Sequence, residues 1–472
     1  MPLARPPILL IVLSAALLIS GCAIDQKKEV ARYQNVLRAN LLSNEPAFAP
    51  AFAPAQPLTL RQALDLANRQ NERLAVEGEN YLQALIERRR AAAAFLPTIN
   101  LVPTYSFRQR VQTGTGNSSS AQTTTLDVPA RGQINLFNGF SDVARLKRDQ
   151  RTIEQRRNLL LDLQEQVLLE TARVYYDTLR AERSAEVLIS SLKVQDARVR
   201  DIIGRQQAGL ARPLDVAQTQ AQASATRVAL INAQKDVRNG RTILAYLTAA
   251  PVLDCPLVDE FNVPSSLPPL PQMQATALAN RRDLLAAASA ALAARQNVEV
   301  AVGQYYPSVS LSADLFLYRE SFPDERRWQG LLQANLPIFS AGLIEADVRT
   351  AWSQFRQASM TEAALRRQVG QDVQIALQNL RSAEQRIAEL GVQLQAAQQA
   401  FNQADQSYNA GLATNLERVT AQDQLLSAQL QLTSARFDRT LAYLESARAT
   451  GRLRWRLENT PSSAATIPTT VP

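Results

Sequence analysis

The chain has no histidine and only two cysteines, Cys22 and Cys255. Without histidine the commonest general base and the commonest zinc ligand are missing. Serine-type triads, HExxH metalloprotease sites and His-ligated haem are therefore excluded. Two cysteines cannot complete a four-cysteine zinc site or an iron–sulfur cluster. Glycine is scarce, at 16 of 472 residues, and aromatic content is only 6%, the composition of long helices rather than of a sheet-rich enzyme. With no acid/base pair, phosphate loop or metal set in view, no catalytic residue, metal site or enzyme activity is expected. The formal charge is +8, but the basic residues are interleaved with acids and form no block beyond Arg88–Arg90. That pattern is a solvated surface, and no nucleic-acid partner is expected.

What is present begins at the N-terminus. After Arg5 comes an apolar run, Ile8–Ile19, followed by Ser20, Gly21 and Cys22. The run is too short for a spanning helix but fits the core of a signal peptide. Ile19-Ser20-Gly21-Cys22 resembles the lipobox of bacterial lipoproteins. That resemblance implies removal of residues 1–21 and lipidation of Cys22, the only covalent group expected in place of a cofactor. Several acyl chains hold a protein to a membrane far more firmly than one. Ala23 follows, rather than an inner-membrane retention aspartate, which favours the outer membrane. An ordinary secretory signal with a chance cysteine is the alternative. Cys255 then has no second cysteine to form a disulfide with and reads as a buried small apolar residue.

The rest of the chain is written twice. Phe95–Leu101 is similar to Tyr305–Leu311, Leu136–Phe140 to Ile338–Leu343, and Ala208–Asp215 to Ala410–Glu417, at offsets of about 202 to 210. The expected segments are a signal (1–21), a lipid-anchored N-terminal segment (22–57), a first repeat (58–250), a Pro-rich linker (251–271), a second repeat (272–452) and a C-terminal tail (453–472). Each repeat reads as helix, strand, strand, very long helix, Gly turn and long helix.

In Leu343–Asn409, Val373, Leu380, Ile387, Leu394 and Phe401 recur every seven residues, and Val369, Ala376, Ala383, Leu390 and Ala397 do the same four positions earlier. These are the two seam positions of a coiled coil. The matching helix in the first repeat runs from about Ser141 to Gln207, with Val167, Thr171, Val174, Thr178 and Leu188 on the same spacing. A helix of about 65 residues is roughly 100 Å long and must pack lengthwise against others. Gly209 and Gly411 sit where one heptad pattern stops and another starts, as left-handed helix terminators would. They are read as hairpin tips.

Two strand pairs alternate. Val309, Leu311, Ala313, Leu315 and Leu317 oppose Ser308, Ser310, Ser312, Asp314, Phe316 and Tyr318. Trp328, Gly330, Leu332, Ala334, Leu336 and Ile338 oppose Gln329, Gln333 and Asn335. In the first repeat, Ile99, Leu101, Tyr105 and Phe107 oppose Asn100, Thr104, Ser106 and Arg108. Leu126, Val128, Ala130, Ile134 and Leu136 oppose Asp127, Arg131, Gln133 and Asn135. Each stretch is long enough for a tilted transmembrane strand, although a small soluble antiparallel sheet would alternate in the same way. Pro103 and Pro129 are read as bulges or strand ends. An open four-stranded sheet has two bare edges, which lipid does not tolerate, so membrane strands of this number require closure by further copies of the chain.

Together these passages resemble the TolC-type outer-membrane efflux protein family and its lipoprotein-anchored (NodT-like) branch, over about residues 58–452. The resemblance rests on the tandem repeat, the Leu-Pro-Thr and Tyr-Pro-Ser strand starts, the Leu-Phe-Asn-Gly strand exit and the Ala-Gly-Leu tips. It implies a mainly α fold with membrane β: a long α-helical coiled-coil barrel, and four β-strands per chain contributing to a twelve-stranded barrel in a homotrimer. It implies a passive conduit in the outer membrane of a Gram-negative bacterium, reaching into the periplasm. A periplasmic adaptor and an inner-membrane pump would be its partners, and small molecules or drugs its cargo. Type I protein secretion uses the same architecture, and a periplasmic lipoprotein adaptor is the reading from another class.

Family members place acids six and nine residues after the second tip glycine. Here those positions hold Glu417 and Thr420, so the second departs from the pattern, and Asp215 is the first-repeat equivalent of Glu417. Glu417 is either part of an anionic ring in the pore or a charge offsetting the helix dipole. Tyr408 resembles a family tyrosine that holds the closed state, or else packs in the seam. Arg418 is expected to pair with a nearby acid. Gly209, Leu210, Gly411 and Leu412 are expected to touch the adaptor.

Overall fold

The computed structural model describes residues 25–41, 57–107, 124–259, 261–264, 267–319 and 327–453. Cys22 with its signal, most of both strand-connecting loops and the tail from 454 onward lie outside the described residues.

Two helices dominate. The first, α4 (Ser141–Gln207), and the second, α8 (Leu343–Asn409), each run 67 residues without a break, roughly 100 Å at 1.5 Å per residue. Each turns at a glycine and returns along itself, α4 into α5 (Pro213–Thr248) and α8 into α9 (Asn415–Ala449). Among the described residues no helix is long and apolar enough to cross a membrane.

The expected single helix that opens each repeat is in fact two. In the first repeat these are α2 (Leu60–Gln70) and α3 (Glu72–Ala93). Asn71 is both C-cap of one and N-cap of the other, its side chain accepting from the Arg73 N–H at 3.0 Å. An Asn that satisfies the next helix start in extended backbone competes with helix continuation. In the second repeat, α6 (Leu270–Asn280) and α7 (Arg282–Val302) break at Arg281. Ahead of both repeats lies α1 (Gln26–Leu41), unforeseen in the N-terminal segment. Its Tyr33 and Leu37 are buried against α3 and α4. The Tyr33 ring lies so close over Gly78 that a Cβ there would stand 2.4 Å from it.

At mid-length the linker joins the chain start. β1 (Leu58–Thr59) pairs in parallel with β5 (Leu257–Val258). The Tyr175 hydroxyl donates toward the carbonyls of Leu58 (2.8 Å) and Val258 (2.6 Å) and accepts from the Val258 N–H at 3.0 Å. Cys255 is fully buried in the same core, as read from the sequence, and burial pushes its thiol pKa up.

At one end lies an antiparallel sheet of four strands. The first is interrupted as β2 (Thr98–Leu101) and β3 (Thr104–Phe107), both paired to β4 (Thr124–Asn138). β4 pairs with β6 (Ser308–Arg319), and β6 with β7 (Trp328–Asn335). The interruption falls at Val102–Pro103, and one of two register shifts between β4 and β6 falls at Val128/Pro129. A proline has no N–H to give the ladder, so both expected defects are where the missing donors are. The second shift, between Asn135 and Phe137, leaves Leu136 as an extra residue. Strand β7 ends at Asn335, before Pro337, so Leu336 and Ile338 lie beyond it rather than on its apolar face.

Candidate functional site

Two regions bear on function, the strand sheet and the hairpin tips. In the sheet, the register carries single rows of side chains across all four strands. Asn100 faces Arg131, Arg131 faces Asp314, and Asp314 faces Gln329. One step along, Ile99, Gly132, Ala313 and Gly330 form the next row, on the opposite face. So one face is polar and the other apolar. Strands β2 and β7 are exposed at every residue and bare at their outer edges. Aromatic side chains are exposed toward both ends: Tyr105, Phe107, Tyr318 and Trp328 at one, Phe140, Tyr305, Tyr306 and Phe339 at the other. Such girdles flank the apolar band of a membrane barrel.

Within the chain the strands run in alternate directions, up, down, up, down. The down-running β7 of one copy beside the up-running β2/β3 of another would therefore be antiparallel. An even number of strands closes on itself by repetition without a mismatched seam.

The tips are built alike. Gly209 and Gly411 have φ of +74° and +76°. At each, the glycine N–H donates to a carbonyl three residues back, and the next N–H to one five back: Leu210 to Arg205 at 2.7 Å, Leu412 to Ser407 at 2.8 Å. This is the Schellman termination. Four leucines are left exposed at matching places, Leu210 and Leu214 in the first tip and Leu412 and Leu416 in the second.

The side chains capping the return helices differ. In the first tip Asp215 accepts from the Arg212 N–H (3.2 Å), Nε (3.1 Å) and Nη2 (3.0 Å). The Arg212 hydrogen bonds hold the Asp215 carboxyl below the ordinary aspartate pKa. In the second tip Thr414 takes the capping role, its hydroxyl accepting from the Glu417 N–H at 3.3 Å. The Glu417 carboxylate is exposed and has no ion-pair partner among the described residues, and Thr420 is exposed as well.

Just behind the tips the hairpins are tied together. Asn415 donates to the Asp215 carbonyl (3.2 Å) and to the Thr219 hydroxyl (3.1 Å), joining α9 to α5. Arg418 is buried and pairs with no acid among the described residues, contrary to the sequence expectation. It donates to the Asn415 side-chain oxygen at 3.0 Å and lies 3.9 Å from the centroid of the Tyr408 ring. Arg205 approaches the same ring at 5.7 Å. One heptad away, Arg198 lies 4.9 Å from the Phe401 ring, pairs with Asp405 at 3.2 Å and hydrogen-bonds Gln422. Three arginines thus lie over two seam aromatics of α8, a packing that cation–π attraction favours. At the sequence level Asn415 has no assigned role and Arg418 is expected to meet an acid. Their spacing of three residues on one helix face signals the Asn415–Arg418 bond alone, not the stacking of Arg418 on Tyr408.

Residues 274–452 match the family described as Outer membrane efflux protein. The outer membrane efflux protein BepC of Brucella suis is 27% identical over 358 residues, covering 72% of this chain and 76% of its own length. The outer membrane protein TolC of Vibrio cholerae is 22% identical and covers 86% and 95%. Among solved structures, the outer membrane protein VceC of Vibrio cholerae superposes with a TM-score of 0.74 at 20% identity, covering 83% of this chain and 96% of that one.

Proposed function

We propose, on the similarity of residues 274–452 to the family described as Outer membrane efflux protein and of 358 residues to BepC, that this chain is an outer membrane efflux protein, the outer-membrane channel of a tripartite efflux system. It is a passive conduit: three copies close their sheets into a twelve-stranded barrel, and their helical hairpins continue it into the periplasm. The observation that carries this reading is the sheet itself. Its two bare edges, one apolar face and aromatic ends demand closure by further copies in lipid. Its work is geometric, it requires no cofactor, and the energy comes from an inner-membrane pump. The exposed leucines at the tips are the surface offered to a periplasmic adaptor, with Gly209, Leu210, Gly411 and Leu412 at its centre.

At the periplasmic constriction, Glu417 in three copies supplies an anionic ring with Thr420 beside it. Asp215 and Tyr408 hold the hairpins in place rather than lending free charge. Cys22 carries the lipid that fixes the N-terminal segment to the outer membrane.

The test is heat-modifiable trimer migration in detergent, followed by planar-bilayer conductance. Trimers and defined conductance steps are expected, and a monomer without conductance would remove the channel reading. Glu417→Ala should lower cation preference about two- to fivefold at low salt, as expected for a ring of three charges in a weakly screened pore; unchanged preference would take Glu417 out of the constriction. For the anchor, Cys22→Ser should abolish incorporation of labelled acyl chains while trimers still form. Persistent label would place the lipid elsewhere.

A further inference from the structure

The charged residues of the strands are few and all paired. Among the described strand residues, Asp127, Arg131, Asp314 and Arg319 carry charge, and they form two cross-strand pairs between β4 and β6. The Asp127–Arg319 pair, at 3.8 Å, lies beyond the Val128/Pro129 bulge, at the loop end of the sheet. The Arg131–Asp314 pair lies between the two bulges, in the body of the strands. It is bidentate: Arg131 Nε donates to Asp314 Oδ1 at 2.7 Å and Nη2 to Oδ2 at 3.3 Å.

Three observations fix what this pair faces. It shares its face with Gln133 and Ser312, Asn135 and Ser310, and Asn138 and Ser308, while Leu315 and Leu311 alternate to the other side. Both side chains retain access to solvent, at 50% for Arg131 and 18% for Asp314. Its row neighbours, Asn100 and Gln329, are neutral. On the polar face of the strands between the bulges, no other charged residue among those described could compensate if one partner were lost. Strands β4 and β6 also belong to different repeats, so the charge balance of this face is set jointly by both.

We propose that the Arg131–Asp314 pair sets the ion preference of the barrel end of the conduit, by keeping a lumenal ring neutral that would otherwise hold three like charges. This rests on the channel reading above. Closure of three sheets puts three such pairs on one level of the lumen. Each pair is a dipole lying along the wall, so ions of either sign and neutral cargo meet little net field there. Removing Arg131 leaves three carboxylates on that level, and removing Asp314 leaves three guanidinium groups. The Arg131 side of the pair is half exposed, so loss of the pair should cost little stability. Its consequence is electrostatic and is screened over about 10 Å at 0.1 M salt and about 3 Å at 1 M.

The experiment is the reversal potential of the full-length protein in planar bilayers under a salt gradient near 0.1 M. All variants are made in a Glu417→Ala background, so that the tip adds no ring charge. Arg131→Gln should shift the permeability ratio toward cations and Asp314→Asn toward anions, each about two- to fivefold. The Arg131→Gln/Asp314→Asn double variant and the charge-swapped Arg131→Asp/Asp314→Arg variant should both return to the parent ratio. Conducting channels whose single variants do not shift, or shift in the same direction, would overturn the assignment while leaving the channel intact. A parent that does not conduct at all would overturn the channel reading instead, and this inference with it. If a single variant fails to form trimers, the charge-swapped variant still decides: a ratio different from the parent's would also overturn it.

Discussion

The two long helices are one element written 202 residues apart (343 − 141 at their starts, 411 − 209 at their tips), yet they live in different surroundings. Helix α4 buries 20 of its residues and α8 only 8. One seam is shared: Val167 and Val369 are fully buried at equivalent positions, as are Thr171 and Val373. The adjoining face is not. Leu160, Leu161, Leu168, Tyr176 and Leu179 of α4 are buried, and the equivalent residues of α8 are Glu362, Ala363, Gly370, Gln378 and Arg381. So α4 has two apolar faces and is wrapped by α1, α3, α5 and α7, whereas α8 has one. The N-terminal third of α8 keeps Leu343, Trp352 and Met360 exposed. Duplication supplied two equal rods. Divergence of one face made the first a core helix of the chain and left the flank of the second exposed.

Glu165 and its equivalent, Arg367, give the sharpest way to test that contrast. Glu165 is buried at the rim of a polar cavity of about 340 Å³ between α4, α7, α8 and α9. The charged groups facing it are Asp162 and Arg173 of its own helix, Arg282 and Asp283 of α7, Asp372 of α8, and Glu445 and Arg448 of α9, with Arg281 at the α6–α7 break. Burial, reinforced by the Asp162 charge, pushes its pKa up to about 7. Burial works against the Arg281 charge, but its bonds to Asp283 (2.6 Å) and Asp372 (2.7 Å) more than offset this and keep its pKa above the ordinary value.

A carboxyl whose folded pKa lies above its unfolded value of about 4.5 costs stability as pH rises between the two, because the folded state then holds more protons. The penalty is absent below about pH 4.5 and complete above about pH 7. Glu165→Gln should therefore stabilise the protein by about 3 kcal/mol at pH 8 and hardly at all at pH 4.5. Thermal unfolding across pH measures this, and a pH-independent change would show that the carboxylate is not the cause. Arg367→Gln, at the exposed equivalent, should move stability by less than about 0.5 kcal/mol at either pH.

A smaller effect tests where the two repeats remain alike. Gly209→Ala and Gly411→Ala place a Cβ in open space at φ above +70°. Each should cost about 1 kcal/mol, nearly equally, in denaturant titrations. A large difference between them would mean that the tips are not equivalent in the folded protein.

Much of this was legible beforehand. The heptads of α4 and α8 bounded both helices at Ser141–Gln207 and Leu343–Asn409, and the glycines marked the turns, because helix period and a left-handed terminator are local properties. The strands were legible from alternation, and Pro103 and Pro129 from their missing N–H groups. The Asn71 break, by contrast, lay hidden in a continuous helical pattern, since Asn is merely a poor helix former until its side chain finds the next helix start. The capture of Asp215 by Arg212 leaves little trace in the sequence beyond a spacing of three at the start of a helix, because Arg is not among the usual N-cap residues. Arg418 on Tyr408 leaves none. It depends on α8 and α9 lying side by side in one particular register.

The sequence by itself therefore determined the two long rods, their glycine turns and the strand alternation, for which neighbours within about seven residues suffice, and it displayed the duplication as passages recurring about 202 residues apart. Only the tertiary structure decided which face of each equal rod is buried, which of two equivalent acids is left free, and that Arg131 meets Asp314 across 183 positions of chain. Those outcomes follow from packing and register between distant segments, and no local period encodes them.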